Sequence, residues 1–216
     1  MSGESERADG RESDRELGDG EAPTRADLDV PEWDDEYLDR VAERLMYNYD
    51  MERNRTVEGT TFPLYGHLRV ENHKQFVHPA INWANHERRE HLLVTRVDRP
   101  RRADLERLVD LGHDLADEWI TADEEHFGTD FVFVVVAEEL PAEIRSFVDG
   151  FRDRTLLKFG YYGQYEIRLV VVAPEAETSV ASEGADVARA FELWRSPEEA
   201  PGGVLSRLAR FLGSVG

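Results

Sequence analysis

Cysteine is absent from the chain. That removes disulfide frameworks, thiolate nucleophiles and Cys-ligated metal sites in one step. Lysine is almost absent too: Lys74 and Lys158 are the only two, so nearly all positive charge is arginine. No apolar run is long enough to span a bilayer or to form a signal-peptide core, and the N-terminus is polar and acidic, so the expected location is cytoplasmic. A phosphate-cradling glycine loop with lysine, a dinucleotide glycine fingerprint and a Gly-x-Ser-x-Gly elbow are all missing, which takes away the commonest nucleotide and hydrolase chemistries. Asn54-Arg55-Thr56 matches the glycosylation pattern, but without an export signal it has no role.

What is present is carboxylate. The 216 residues hold 46 Asp plus Glu against 26 Lys plus Arg, a formal net charge of −20. Self-repulsion on that scale opposes a compact state in dilute buffer, and halophiles use it to remain soluble. In molar salt the Debye length falls to about 3 Å and the repulsion is screened. Acidic disorder is the other source of such charge. It does not fit a chain that is 40% hydrophobic and 10% aromatic with ordered periodicity.

Residues 1–30 lack large apolar side chains and are expected to form a disordered acidic tail. Order begins near Pro31. Leu38, Val41, Ala42, Leu45 and Met46 recur at helical spacing over residues 34–49. Alternation predicts strands over 64–75 and 92–97. Leu105, Leu108, Val109, Leu115 and Trp119 mark a helix over 101–121. Residues 131–137 are apolar on both faces, as a strand covered on both sides would be. Pro141 suits the first turn of a helix burying Ile144, Phe147, Val148 and Phe151. Two strands, 155–159 and 165–173, follow, joined by Gly160-Tyr161-Tyr162-Gly163-Gln164. Residues 174–183 read as loop and 185–194 as helix. The expected architecture is α+β: a single globular domain over 31–174, with a mixed sheet of four to five strands packed with helices. Residues 175–216 are expected to be a linker with C-terminal helices.

Five of the seven histidines lie between His67 and His91. On a strand, His67, Arg69, Glu71 and His73 share one face, opposite Leu68 and Val70. Two imidazoles and a carboxylate make His67, Glu71 and His73 a candidate metal set, with His78 or His86 nearby. Arg69 between them repels a metal, so the polar face of a half-buried strand is the favoured reading. His86 and His91 bracket a zinc-protease-like run, but five residues separate them instead of four, about 140° around a helix, so they cannot share one ion. Glu71-x-x-Lys74 has the wrong offset for a nuclease strand, which wants both side chains on one face. Glu118, Asp123, Glu124, Glu125, His126 and Asp130 could gather around a hydrated cation, without EF-hand spacing.

Arg96, Arg99, Arg101, Arg102 and Arg107 surround the start of the long helix. Interleaved Asp98, Asp104 and Glu106 make local ion pairs the preferred account over a phosphate site. The overall charge disfavours nucleic acid. Tyr161, Tyr162 and Tyr165 at the strand turn form either a contact surface or a cap on the core. Leu205, Leu208, Phe211 and Leu212, with Val204, make an apolar stripe flanked by Arg207 and Arg210. That stripe suits a membrane surface, a partner groove or its own domain.

In its composition, acidic head and central pattern, the chain resembles small uncharacterised conserved proteins of halophilic archaea, of the domain-of-unknown-function kind, over about Trp33 to Pro174. The resemblance implies no activity, no cofactor and no catalytic residue. Three functions follow as expectations: a non-catalytic interaction or regulatory domain with a protein partner or a second copy of itself, a metal-dependent enzyme on the His67/Glu71/His73 face, or a peripheral membrane protein held by its last helix. The first is preferred.

Overall fold

The computed structural model describes residues 24–26, 28–71, 87–124 and 126–195. The acidic head, most of the histidine-rich stretch after Glu71, and the apolar stripe at 204–212 lie outside them.

α1 (Glu36–Leu45) starts where Asp35 accepts a hydrogen bond from the Leu38 amide, and it carries Glu36 and Asp39 in its first turn and Arg44 in its last. Both placements complement the helix dipole. β1 (Asp50–Val57) and β2 (Thr60–Glu71) form a hairpin closed by Glu58-Gly59, both at positive φ. A two-residue turn of that hand matches strand twist. β3 (Glu87–Arg96) pairs antiparallel with β2. α2 (Arg102–Trp119) then crosses over and returns the chain to β4 (His126–Val136), parallel to β3. α3 (Ala142–Asp149) and the short β5 (Asp153–Leu156) precede β6 (Gln164–Ala173), which runs parallel to β4. β7 (Thr178–Ala181) and a single helical turn, α4 (Ala188–Phe191), complete the described chain.

The sheet order is β1-β2-β3-β4-β6-β5, with β7 also pairing to β6. The expected mixed sheet is present and has seven strands. β1 and β7 are the additions: the sequence pattern places no strand over 50–57 and predicts a loop over 178–181. The helix expected over 185–194 is regular only over α4.

Helices cover both faces. Val132, Val134 and Val136 of β4 point to the side of α1 and α4, where Leu38, Val41, Leu45 and Phe191 are buried. Phe131, Phe133 and Val135 point the other way, into Leu105, Leu115, Ile144 and Val148 of α2 and α3. This explains the continuous apolar run of β4. α2 lies very close: a Cβ on Gly112 would stand 2.9 Å from Ile167 and 3.0 Å from Phe133. Residues 175–195 belong to the same packed body, since β7 extends the sheet and Phe191 is fully buried.

Candidate functional site

Unusual side chains gather toward one end of the sheet, where the parallel strands β3, β4 and β6 begin. Strand register creates the first group. His67 of β2 lies opposite His91 of β3, and His91 lies beside Phe131 of β4. The three rings stack across the strands, with centroids 4.9 Å and then 5.2 Å apart. Trp119, the last residue of α2, meets His91 edge-on at 5.0 Å. The Tyr65 hydroxyl bonds His91 Nδ1 at 2.8 Å, and the Arg55 guanidinium sits 4.0 Å over the Tyr65 ring. Burial above all, then His67, Arg55 and Arg89, push the His91 imidazole down to about 3. His91 is therefore neutral at ordinary pH, inside an aromatic stack and close to a cation.

Of the predicted metal set, His67 belongs to this stack. Glu71 ends β2 opposite Glu87, and nothing further is described of its side chain; His73, His78 and His86 lie outside the described residues. Among the described residues no group of three His, Asp or Glu is placed to hold a metal ion. Residues 87–91 form strand, so the zinc-protease comparison fails on geometry as well as on spacing. A second phenol–imidazole pair stands on the same face. Tyr165 bonds His113 Nδ1 at 2.9 Å, and His113 Nε2 lies 3.3 Å from Asp153. The Tyr165 ring is buried edge-on to Phe131, so this chain satisfies a core hydroxyl.

On the opposite face, register aligns Glu90, Asp130 and Glu166 on β3, β4 and β6. Arg168 serves two of them, Glu166 at 2.8 Å and Asp130 at 3.4 Å. The Tyr49 hydroxyl donates to Glu90 at 2.5 Å. Burial first, then the Glu90 carboxylate, drives the Tyr49 phenol far above its ordinary range. Asp130, expected in an exposed cation loop, is instead 4% exposed inside β4. Asp123 of that loop accepts the His126 amide. A shallow hollow of about 250 Å³ beside α4 is lined by Ser182, Asp186, Arg189, Glu192 and Arg195. Ser179 and Arg195 both donate to Glu192, so its charge is met within the fold.

The arginines at the start of α2 form ion pairs, as preferred above. Arg96 pairs with Asp35, Arg99 with Glu139, Arg102 with Glu106 and Arg107 with Asp104, while Asp104 accepts the Arg101 amide.

The third group is a corner built on the β5–β6 connection. After β5 the chain makes a tight turn through Lys158 (φ 47°, ψ 52°) and Phe159 (φ 60°, ψ 24°), two successive left-handed residues that are not glycine. L-residues enter this region at a cost of about 1–2 kcal/mol each. The turn is fastened from below. His126 Nδ1–H donates to the Tyr162 carbonyl at 2.7 Å, and His126 Nε2 bonds Thr129 at 2.9 Å. Gly163 has φ 75°, and a Cβ there would stand 2.2 Å from the Phe127 carbonyl oxygen, so only glycine lets the turn close onto β4. The result displays Phe159 at 96% exposure and Tyr161 at 85%, with Leu156 and Phe127 about half exposed.

The predicted contact tyrosines therefore separate. Tyr161 is on the surface, Tyr162 is partly covered, and Tyr165 is in the core. Leu205, Leu208, Phe211 and Leu212 lie outside the described residues. Sequence reasoning missed Phe127, Leu156 and Phe159 as surface residues, and His126 as the fastener. The pair of glycines bracketing Tyr161-Tyr162 was the available signal.

No helix among the described residues is long and apolar enough to cross a membrane. No curated protein and no solved structure matches the chain. The sequence profile of Domain of unknown function (DUF8052) matches residues 34–193, and the chain belongs to that family.

Proposed function

We propose that this is a non-catalytic interaction domain of a cytoplasmic protein adapted to concentrated salt, and that it makes contact through the corner formed by Phe127, Leu156, Phe159 and Tyr161. The observation that carries the reading is Phe159, held almost fully in water on a left-handed backbone. A phenylalanine there contributes no burial to its own fold and adds backbone strain. Strain kept at a rigid surface position is a mark of function. Rigidity lowers the ordering cost of association. Brine favours this kind of contact: it screens charge attraction to short range while leaving apolar association intact. The stripe at 204–212 joins the proposal as a second contact element on sequence grounds alone.

The test is a photo-crosslinking residue placed at Tyr161 in the native cell, with the same residue at half-exposed Tyr47 as control. A discrete adduct from position 161, identified by mass spectrometry and absent from position 47, supports the reading. Equal, diffuse labelling from both positions defeats it.

A further inference from the structure

We infer that the occupant of this corner is a second copy of the same chain, packed corner to corner about a twofold axis. The inference rests on the reading of the corner as a contact surface and names its partner.

Area is the first argument. Phe159 and Tyr161 are close to fully exposed, and Leu156 and Phe127 are half exposed. At about 150–250 Å² per aromatic side chain, the four residues offer on the order of 500 Å² of apolar surface. Packed against itself, the patch buries up to that amount twice, an upper bound that meets the roughly 1,000 Å² separating specific interfaces from chance contacts.

The backbone supplies the second argument. Among the described residues β5 ends the sheet, with its other side turned away from β6. Leu157 donates to the Gly163 carbonyl, which sets the alternation and turns the peptide groups of Arg154 and Leu156 outward. An antiparallel meeting of β5 with its own twofold copy pairs those groups with each other. Such a contact is self-complementary, as an isologous interface must be.

Charge is the third. The chain carries a net charge of −20, so two copies repel over most approaches. Around β5 the charges are balanced within the molecule. Arg152 pairs with Glu183 at 2.7 Å and Arg154 faces Glu166 at 3.9 Å, and over residues 152–161 three cations, Arg152, Arg154 and Lys158, stand against one carboxylate, Asp153. The β5 side of the corner thus lacks the excess of negative charge that the chain carries overall, and a like-charged copy can approach there. Added salt should tighten the dimer by screening the remainder.

The experiment is analytical ultracentrifugation of the full chain in molar potassium chloride over a range of protein concentrations, for the wild type, the double variant Phe159→Ser/Tyr161→Ser, and Leu156→Lys. The wild type is expected to be dimeric. The double variant should dissociate at least about a hundredfold more easily, because it loses two central aromatic anchors. Leu156→Lys places a charge on the edge and should weaken the dimer while keeping the wild-type circular dichroism spectrum, which guards against misfolding of the double variant. A wild type that stays monomeric, or variants that dimerise as well as the wild type, overturns the inference. The crosslink at Tyr161 then tells which idea failed. An adduct with a different protein sinks the dimer and leaves the contact surface standing; no discrete adduct at all sinks both.

Discussion

The sheet has two edges, and they are finished in opposite ways. At one, β1 presents Glu52, Arg53, Asn54 and Arg55, with Arg53 paired to Asp34 and Arg55 to Glu52. Asn54 has a positive φ and, with Pro63 across from it, drops out of the pairing register. Charge and a kink are standard defences of an edge against another strand. At the other edge, β5 is short and carries a half-exposed leucine, then a strained turn bearing two exposed aromatics. One molecule thus protects one edge and presents apolar side chains at the other. The difference argues that the β5 corner is exposed for a purpose.

The comparison can be broken most forcefully at Arg168. Two of the three aligned carboxylates, Asp130 and Glu166, share this one buried guanidinium, and removing the cation from such a pair costs about 3–5 kcal/mol. Arg168→Met should lose that much in guanidinium chloride unfolding. Amide exchange should accelerate in β5 and β6 ahead of β1 and β2. Uniform acceleration across the sheet would mean that the edges do not behave as separate regions.

A smaller effect compares the two turns. Gly59 and Gly163 have nearly the same φ, 74° and 75°, but a Cβ on Gly59 meets nothing within 4 Å. Gly59→Ala should cost about 1 kcal/mol, the backbone penalty alone. Gly163→Ala adds a collision with the Phe127 carbonyl and should cost about 2–4 kcal/mol. Equal losses in thermal unfolding would show that the corner is not fastened to β4.

Acid should strike the protected side. His91 titrates near 3 in the fold against an ordinary value of about 6.5, so below pH 6.5 the unfolded chain takes up a proton that the folded chain refuses. Stability should therefore fall with falling pH by about 1.4 kcal/mol per unit, roughly 2 kcal/mol between pH 6.5 and 5. His91→Phe should remove that part of the slope. If the slope of the wild type and the variant agree, the buried neutral imidazole is wrong.

Much of this was legible in the sequence, and the exceptions have physical causes. α1, α2, β4 and β6 are strongly periodic or continuously apolar, and they fall close to where the pattern put them. β1 was invisible because an exposed edge buries few residues; only Met51 and Val57 are in the core. β7 is four residues long, too short to show alternation. The carboxylate row with Arg168 and the His67–His91–Phe131 stack exist only through register between distant strands, and no local pattern encodes register. At the corner the aromatic cluster was plain, but which ring faces water was not. Tyr165 alternates into the core with Ile167 and Leu169, whereas Phe159 is turned outward by a left-handed backbone that composition does not announce.

The account stands or falls on whether Phe159 serves its own fold or something outside it, and Phe159→Gly asks this directly. Glycine relieves the left-handed strain, at the cost of some extra freedom in the unfolded chain, and gives up no buried surface. Denaturant unfolding, measured at concentrations low enough to keep the chain monomeric, should find the variant as stable as the wild type or more stable by up to about 1 kcal/mol. A loss of more than about 1 kcal/mol would make Phe159 a structural residue and contradict the claim that the corner is built for contact.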